Sequence, residues 1–217
     1  MPGVLGVIGI VGTGGHAKVV VDIFNRRGRG GFVFFDSNPP SIDRSYFHGP
    51  VHYDSPENLS SFIHLVEGWH VAIGDPAQRK NKLEQIMGMG AKLLSAIHDG
   101  SIIADDAIIG DGTAIMAGAV INPCTNIGRG CIINTAAGVD HDCQISDYVN
   151  IGPGCRLAGG VHIGKLTNLG LGAVVIPGIR IGRNCIIGAG AAVIFDIPDN
   201  SVAVGVPARI IKTKSNP

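Results

Sequence analysis

Every sixth residue from Ile97 to Val193 is isoleucine, leucine or valine, seventeen in succession. A helix would repeat its apolar positions at steps of three and four and a flat strand at steps of two, so a period of six held this long predicts a solenoid of short strands. The position four residues after each aliphatic is filled mostly by small side chains, among them Thr113, Ala119, Cys131, Ala137, Cys143 and Cys155. Two inward positions per hexad therefore alternate large and small. Glycine directly follows the aliphatic at Gly110, Gly128, Gly152, Gly164, Gly170, Gly182 and Gly188, where corners between strands are expected to use its freedom at positive φ. Three hexads of this kind close one triangular coil.

Upstream the period changes. Leu5–Val11 reads as a buried strand, Gly12-Thr13-Gly14-Gly15-His16 as a turn and Ala17–Arg26 as a helix with Val19, Val20 and Ile23 on one face. A second strand is expected at Phe32–Phe35 ending in Asp36, helices near Glu57–Val66 and Ala77–Met89, and a strand at His70–Ile73. Alternation of β and α elements predicts a small parallel, Rossmann-like α/β domain. Ser37–Val51, with Pro39, Pro40 and Pro50, reads as a long connection bordering a ligand site. The expected division is residues 1–95 and 96–217.

Lysine plus arginine and aspartate plus glutamate both number 17, with no long run of either sign. The electrostatic footprint of a nucleic-acid or anionic-membrane binder is missing, and small molecules are the expected partners. No apolar stretch reaches the roughly 20 residues of a membrane span, and Met1-Pro2-Gly3 lacks a basic signal-peptide start; the expected location is the cytoplasm. Cys131, Cys143, Cys155 and Cys185 fall in the small inward slot and Cys124 outside it, with no paired CxxC spacing, so no metal and no disulfide framework is expected.

Two segments carry chemistry. Loop glycines after the first strand let backbone amides approach a phosphate, and the helix that follows adds a favourable dipole. Gly12-x-Gly14-x-x-Ala17 with Asp36 after the second strand also fits a relaxed dinucleotide fingerprint, but about ninety residues are too few for both mononucleotide halves, and a tight turn that only packs helix on sheet would need the same glycines. The second segment is Asp140-His141-Asp142. His141 lies two positions after Val139, away from the inward slots, and a flanking carboxylate would fix its tautomer and raise its basicity.

Val11-Gly12-Thr13-Gly14-Gly15-His16-Ala17-Lys18-Val19-Val20, the hexapeptide period, Asn134-Thr135, Val139-Asp140-His141-Asp142-Cys143 and the closing Gly205-Val206-Pro207-Ala208-Arg209 together resemble the hexapeptide-repeat sugar acetyltransferases, across essentially the whole chain. The resemblance implies an α/β nucleotide-sugar domain followed by a left-handed parallel β-helix, assembled as a homotrimer, with acetyl-CoA as co-substrate and no metal. It implies a UDP- or GDP-linked 4-amino-4,6-dideoxy sugar of bacterial glycan synthesis as acceptor, His141 as general base and Asp142 as its orienting partner. Substrate contacts carried over are Gly14, Gly15, His16, Asp36, Ser37, Gly74, Arg79 and Asn134, the last on another face of its coil and able to reach the reaction centre only with help from a neighbouring subunit or domain. Acetyl-CoA contacts carried over are Asn150, Leu171 and Ala189. A related branch that O-acetylates sialic acid would use the same histidine, and a non-catalytic nucleotide-sugar-binding protein would use the same glycine loop. A zinc site on the solenoid would need His98, His141 and His162 to converge, yet His141 and His162 are 21 residues apart and do not stack.

Overall fold

The computed structural model describes residues 6–39 and 45–214 and divides into two compact units, Met1–Asp99 and Gly100–Pro217. Leu5 of the expected first strand, Met1-Pro2-Gly3 and Pro40 of the expected connection lie outside the described residues.

The first unit is a four-stranded parallel sheet in the order β3 (Val51–Tyr53), β2 (Phe32–Asp36), β1 (Ile8–Val11), β4 (Gly68–Val71). Strands β1 and β4 are buried along their whole length, and β1 accordingly reads as an apolar run without alternation. The helices are α1 (Gly15–Arg26), α2 (Pro56–Phe62) and α3 (Pro76–Gly88), with a last short strand, β5 (Ala96–Ile97). Helix α1 buries Ala17, Val20, Val21, Ile23 and Phe24, while Val19 stays 41% exposed, so the buried stripe is rotated from the expected one. Strand β4 starts and ends two residues earlier than expected, because Gly68 to Val71 pair in register with Ile8 to Val11 and the chain leaves the sheet after Ala72 donates to the Val11 carbonyl. Strand β3 falls at the end of the stretch read as connection; three residues are too few to show a period.

Because β1 lies between β2 on one side and β4 on the other, the chain turns in opposite directions from the sheet centre, and the crevice at the carboxyl ends of β1 and β4 is a topological switch point. The glycine loop after β1 and the Ala72–Asp75 loop after β4 both open there.

The second unit contains one two-residue strand per hexad, from β6 (Ile102–Ile103) to β21 (Ala192–Val193). The second residue of each strand is the period-six aliphatic, and each strand pairs in parallel with the one eighteen residues on, as Ile115 with Ile133 and Ile133 with Ile151. Three hexads per coil follow, and the unit is the left-handed parallel β-helix that the resemblance implies. The positive φ does not fall on the glycines that follow the aliphatics. It falls two residues later, on Gly112, Gly118, Gly130, Gly154 and their equivalents, and on Cys124, Ala136, Asp142 and Tyr148. The earlier glycines are required by close approach instead: a Cβ on Gly110 would lie 2.5 Å from the Arg129 amide of the next coil, and one on Gly170 would lie 2.6 Å from that of Ala189.

The small inward slot is partly polar. Thr125 and Thr167 donate to the carbonyls of Asp140 and Gly182 fifteen residues on, and the thiols of Cys131, Cys143 and Cys155 do the same to Ser146, Ala158 and Gly170. Threonine and cysteine thus fill the same slot while donating to corner carbonyls of the same solenoid. The period ends at Val193: Ile181 bridges Ile197 and Ile187 pairs with Ala203, so the closing coil is sixteen residues long. An antiparallel pair, β22 (Ser201–Val204) with β23 (Arg209–Thr213), finishes the described chain. Among the described residues no helix is long and apolar enough to cross a membrane.

Candidate active site

A cavity of about 400 Å³ occupies the switch point of the first unit, lined by Gly12, Thr13, Gly14, Gly15, His16, Asp36, Ser37, Asp54, Gly74 and Gln78 among others. It gathers six of the residues carried over as nucleotide-sugar contacts. Gly14 precedes α1 without a side-chain cap, whereas Ser55 caps α2 and Asp75 caps α3, each accepting from an N–H in the first turn. Added Cβ atoms on Gly14 and Gly15 would meet nothing within 4 Å, so the backbone at the positive end of α1 faces open space, the arrangement that receives anions. Asp36 has a structural duty: one carboxylate oxygen accepts from both the amide and the hydroxyl of Thr13, at 3.0 and 2.6 Å, and the other from the Asn38 amide at 2.9 Å.

Around the cavity lie three cationic-type side chains, Arg79 and His70 buried and His16 half-buried in the lining. Arg79 is 1% exposed and donates through Nη1 to the carbonyls of Ile73 and Gly74, both at 2.8 Å. It braces the Gly74 loop from behind and is not on the cavity wall. His70 is buried with Nδ1 donating to the Leu94 carbonyl at 2.8 Å, and burial depresses its pKa to about 4. His16 is depressed to about 3, first by burial and then by the positive charges of His70 and Arg79, and its buried Nε2 has no hydrogen-bond partner among the described residues. A neutral imidazole with an unused ring nitrogen thus stands in the cavity wall. Thr13, Asp54 and Gln78 also line the cavity; the sequence reading did not single them out, and Asp54 could have been found only by recognising β3.

In the second unit, His141 occupies the edge between the strands Gly138–Val139 and Gln144–Ile145. Its side chain is 61% exposed, and Nδ1 sits 2.7 Å from an Asp142 carboxylate oxygen. A carboxylate can only accept, so Nδ1 carries the proton and Nε2 presents its lone pair. Asp142 reaches the ring because it holds the left-handed corner conformation, φ 59°, which short acidic side chains tolerate. On the other side Asp140 accepts the His141 amide at 2.8 Å and the Asn122 side chain, one coil earlier, at 2.7 Å. Asn122 is a support residue that the sequence signalled only through its eighteen-residue offset from Asp140. The Asp142 hydrogen bond, and next the charge of Asp140, raise the His141 pKa.

The other residues carried over within the solenoid lie elsewhere. Asn150 is in the sheet that contains Ile132–Ile133, Asn168–Leu169 and Ile186–Ile187, and Asn134, Leu171 and Ala189 occupy the edge that leaves this sheet. That edge is adjacent to, and distinct from, the edge of His141, so one chain does not bring them together. Among the described residues no group of three potential ligands could hold a metal ion.

The PglD N-terminal domain family matches residues 7–86. Across solved structures, a histidine-to-asparagine variant of perosamine N-acetyltransferase from Caulobacter crescentus, in complex with CoA and GDP-perosamine, is 38% identical, with 96% of this chain and 98% of that one covered and a TM-score of 0.89. The acetyltransferase domain of PglB from Neisseria gonorrhoeae, in complex with acetyl coenzyme A, is 34% identical over 94% and 98% of the two chains, TM-score 0.88. WeeI from Acinetobacter baumannii is 26% identical over 94% and 99%, TM-score 0.79. Among proteins with curated descriptions, none matches.

Proposed function

Because the chain belongs to the hexapeptide-repeat acetyltransferases of nucleotide-linked amino sugars, we propose that it transfers the acetyl group of acetyl-CoA to the 4-amino group of a UDP- or GDP-linked 4-amino-4,6-dideoxy sugar. The single observation that carries the chemistry is the exposed His141 imidazole, tied through Nδ1 to Asp142 so that Nε2 is the ring nitrogen with the lone pair. In this reading the sugar amine attacks the thioester carbonyl, His141 Nε2 takes the proton that the nitrogen loses, the C–S bond breaks, and the proton passes to the departing CoA thiolate. One amide and one free thiol result. Asp142 holds the tautomer and stabilises the imidazolium while it carries the proton.

The first unit supplies substrate affinity. Gly14 and Gly15 at the uncapped start of α1 receive the diphosphate, Ser37 and the Asp36-braced Thr13 loop border the nucleoside, and Gly74, held by Arg79, closes the other wall. The separation of His141 from Asn134, Asn150, Leu171 and Ala189 supports a trimer, in which the edge of one copy meets the acetyl-CoA-binding face of the next. Five free thiols and the use of acetyl-CoA fit a cytoplasmic enzyme.

A thiol-release assay with acetyl-CoA and a panel of UDP- and GDP-4-amino-4,6-dideoxy sugars tests the proposal, with sialic acid as the hydroxyl acceptor and His141→Ala as control. Release with a nucleotide-linked amino sugar that depends on His141 is the expected result. Release with sialic acid alone would replace it by the O-acetylating reading, and binding without release by the non-catalytic one.

A further inference from the structure

We propose that Gly159 is a positioning residue for His141: the absent side chain at 159 is the space in which the imidazole lies. Gly159 is one coil, eighteen residues, after His141, and the two strands leading to them, Gly138–Val139 and Arg156–Leu157, pair in register. A Cβ built on Gly159 would lie 2.5 Å from Cε1, 2.6 Å from Nε2 and 3.1 Å from Nδ1 of His141. The three nearest atoms it would meet all belong to that one ring, so the imidazole rests against the bare backbone of the next coil.

Nothing else in the fold asks for glycine there. The left-handed residue of this corner is Gly160, with φ 69°, whereas Gly159 is not among the residues with positive φ. The same place in the hexad, two residues after the aliphatic, is occupied by Asp105, Pro123, Thr135, Pro153, Lys165 and Leu171 in other corners, and Gly159 is the one glycine at that place between Asp99 and Phe195. The backbone therefore accepts many side chains at this position, and the corner that follows His141 carries none.

A methyl group at 159 can be accommodated, because what it meets is the mobile, solvent-exposed end of a side chain and not packed backbone. The ring swings off, the Nδ1 contact to Asp142 breaks, and Nε2 no longer points where Asp142 and the corner had aimed it. The fold survives and the histidine is misplaced, so a small substitution outside the histidine segment should act as a selective lesion of turnover.

This inference rests on His141 being the general base, and the experiment separates the two. Gly159→Ala is prepared in the full chain, alone and with His141→Ala, and assayed by CoA release together with the thermal midpoint and the NMR titration of the His141 ring. The expected result is an unchanged melting temperature, kcat lower by about 30-fold or more with both KM values within about threefold, a His141 titration moved down toward that of an ordinary histidine, and no further loss of rate when Gly159→Ala is added to His141→Ala. Wild-type kcat with an unmoved titration overturns the proposal, as does an equal proportional loss in the His141→Ala background, which would mean that Gly159 acts independently of the ring. If His141→Ala turns over normally, the base assignment fails, and the titration of Gly159→Ala still decides whether residue 159 positions the imidazole.

Discussion

The switch-point cavity of the first unit and the His141 edge of the second are built by different means. The cavity is concave in a single chain, walled by loops that Asp36 and Arg79 hold from behind with hydrogen bonds. His141 stands on a convex edge, its side chain 61% exposed, beside Gly159 and the two flanking aspartates. Binding groups can be preorganised on one chain, while a base on an open edge acts in a dry site only when substrate and a second copy cover it. Under the proposed function the contrast gives affinity to the first unit and rate to the second, so changes in the cavity should appear in KM and changes on the edge in kcat.

The largest departure should come from His141→Ala. General base catalysis is worth about 10²–10⁴-fold, so kcat should fall by that factor while the KM for the nucleotide sugar changes less than about threefold. Initial-rate kinetics across both substrates check it. A large rise in KM with kcat preserved would make the edge a binding surface and erase the contrast.

Next in size is acid sensitivity confined to the first unit. His16 and His70 have folded pKa values near 3 and 4, below the ordinary 6.5, so the unfolded chain binds protons that the folded one refuses. Their contribution is intact above about pH 6.5 and is lost as the pH falls toward the folded values, by about 2 kcal/mol for each at pH 5. His141, raised and exposed in the other unit, acts in the opposite direction. Hydrogen exchange on the full chain at pH 7.5 and 5, corrected for intrinsic rates, should show β1, β2 and β4 losing protection before the solenoid strands. Equal loss in both units would mean that the buried histidines do not set the difference.

Gly15→Asp sharpens the contrast from the binding side. The added side chain enters open space, so the fold is kept, but a carboxylate now stands where the diphosphate is proposed to lie. Repulsion at an effective dielectric near 20 amounts to about 2–4 kcal/mol at contact distances, and KM for the nucleotide sugar should rise by about 30-fold or more with kcat at saturation near wild type. An unchanged KM would move the diphosphate away from α1.

How far this was legible in the sequence follows from how each region uses its residues. In the solenoid the period survives because each aliphatic repeats one environment, and strand registers through Val193 could be counted directly. The step from eighteen to sixteen residues at Ile197 was hidden, since it depends on where the last coil closes. Glycine was assigned the wrong reason at Gly110 and Gly170, because close approach between coils leaves the same letter as positive φ. In the first unit, β3 was missed because three half-exposed edge residues show no period, and the buried face of α1 was misplaced because Val19, Val20 and Val21 look alike in sequence although Val19 is exposed and the other two are buried. The glycine loop and His141 stood out by local spacing, whereas Asn122 and Gly159 bear on His141 only after the chain has wound one coil backward or forward.

The smallest effect expected is also the one that tests how the edge is tuned. The Asp142 hydrogen bond is the first cause of the raised His141 pKa, with the charge of Asp140 next. In Asp142→Asn the side-chain carbonyl can still accept from Nδ1–H, so the tautomer is kept, but the charge that favoured the imidazolium is gone. The His141 pKa should fall, and because the base works only when unprotonated, the acid limb of the kcat/KM profile should move to lower pH. A less basic imidazole pulls the proton less well, so the plateau should drop by only a few-fold. A profile measured from about pH 5.5 to 9 reads both changes, and Asp140→Asn should move the limb in the same direction. If the limb stays in place in Asp142→Asn while the plateau falls, a group other than His141 sets the acid limb and the edge histidine is not the titrating base.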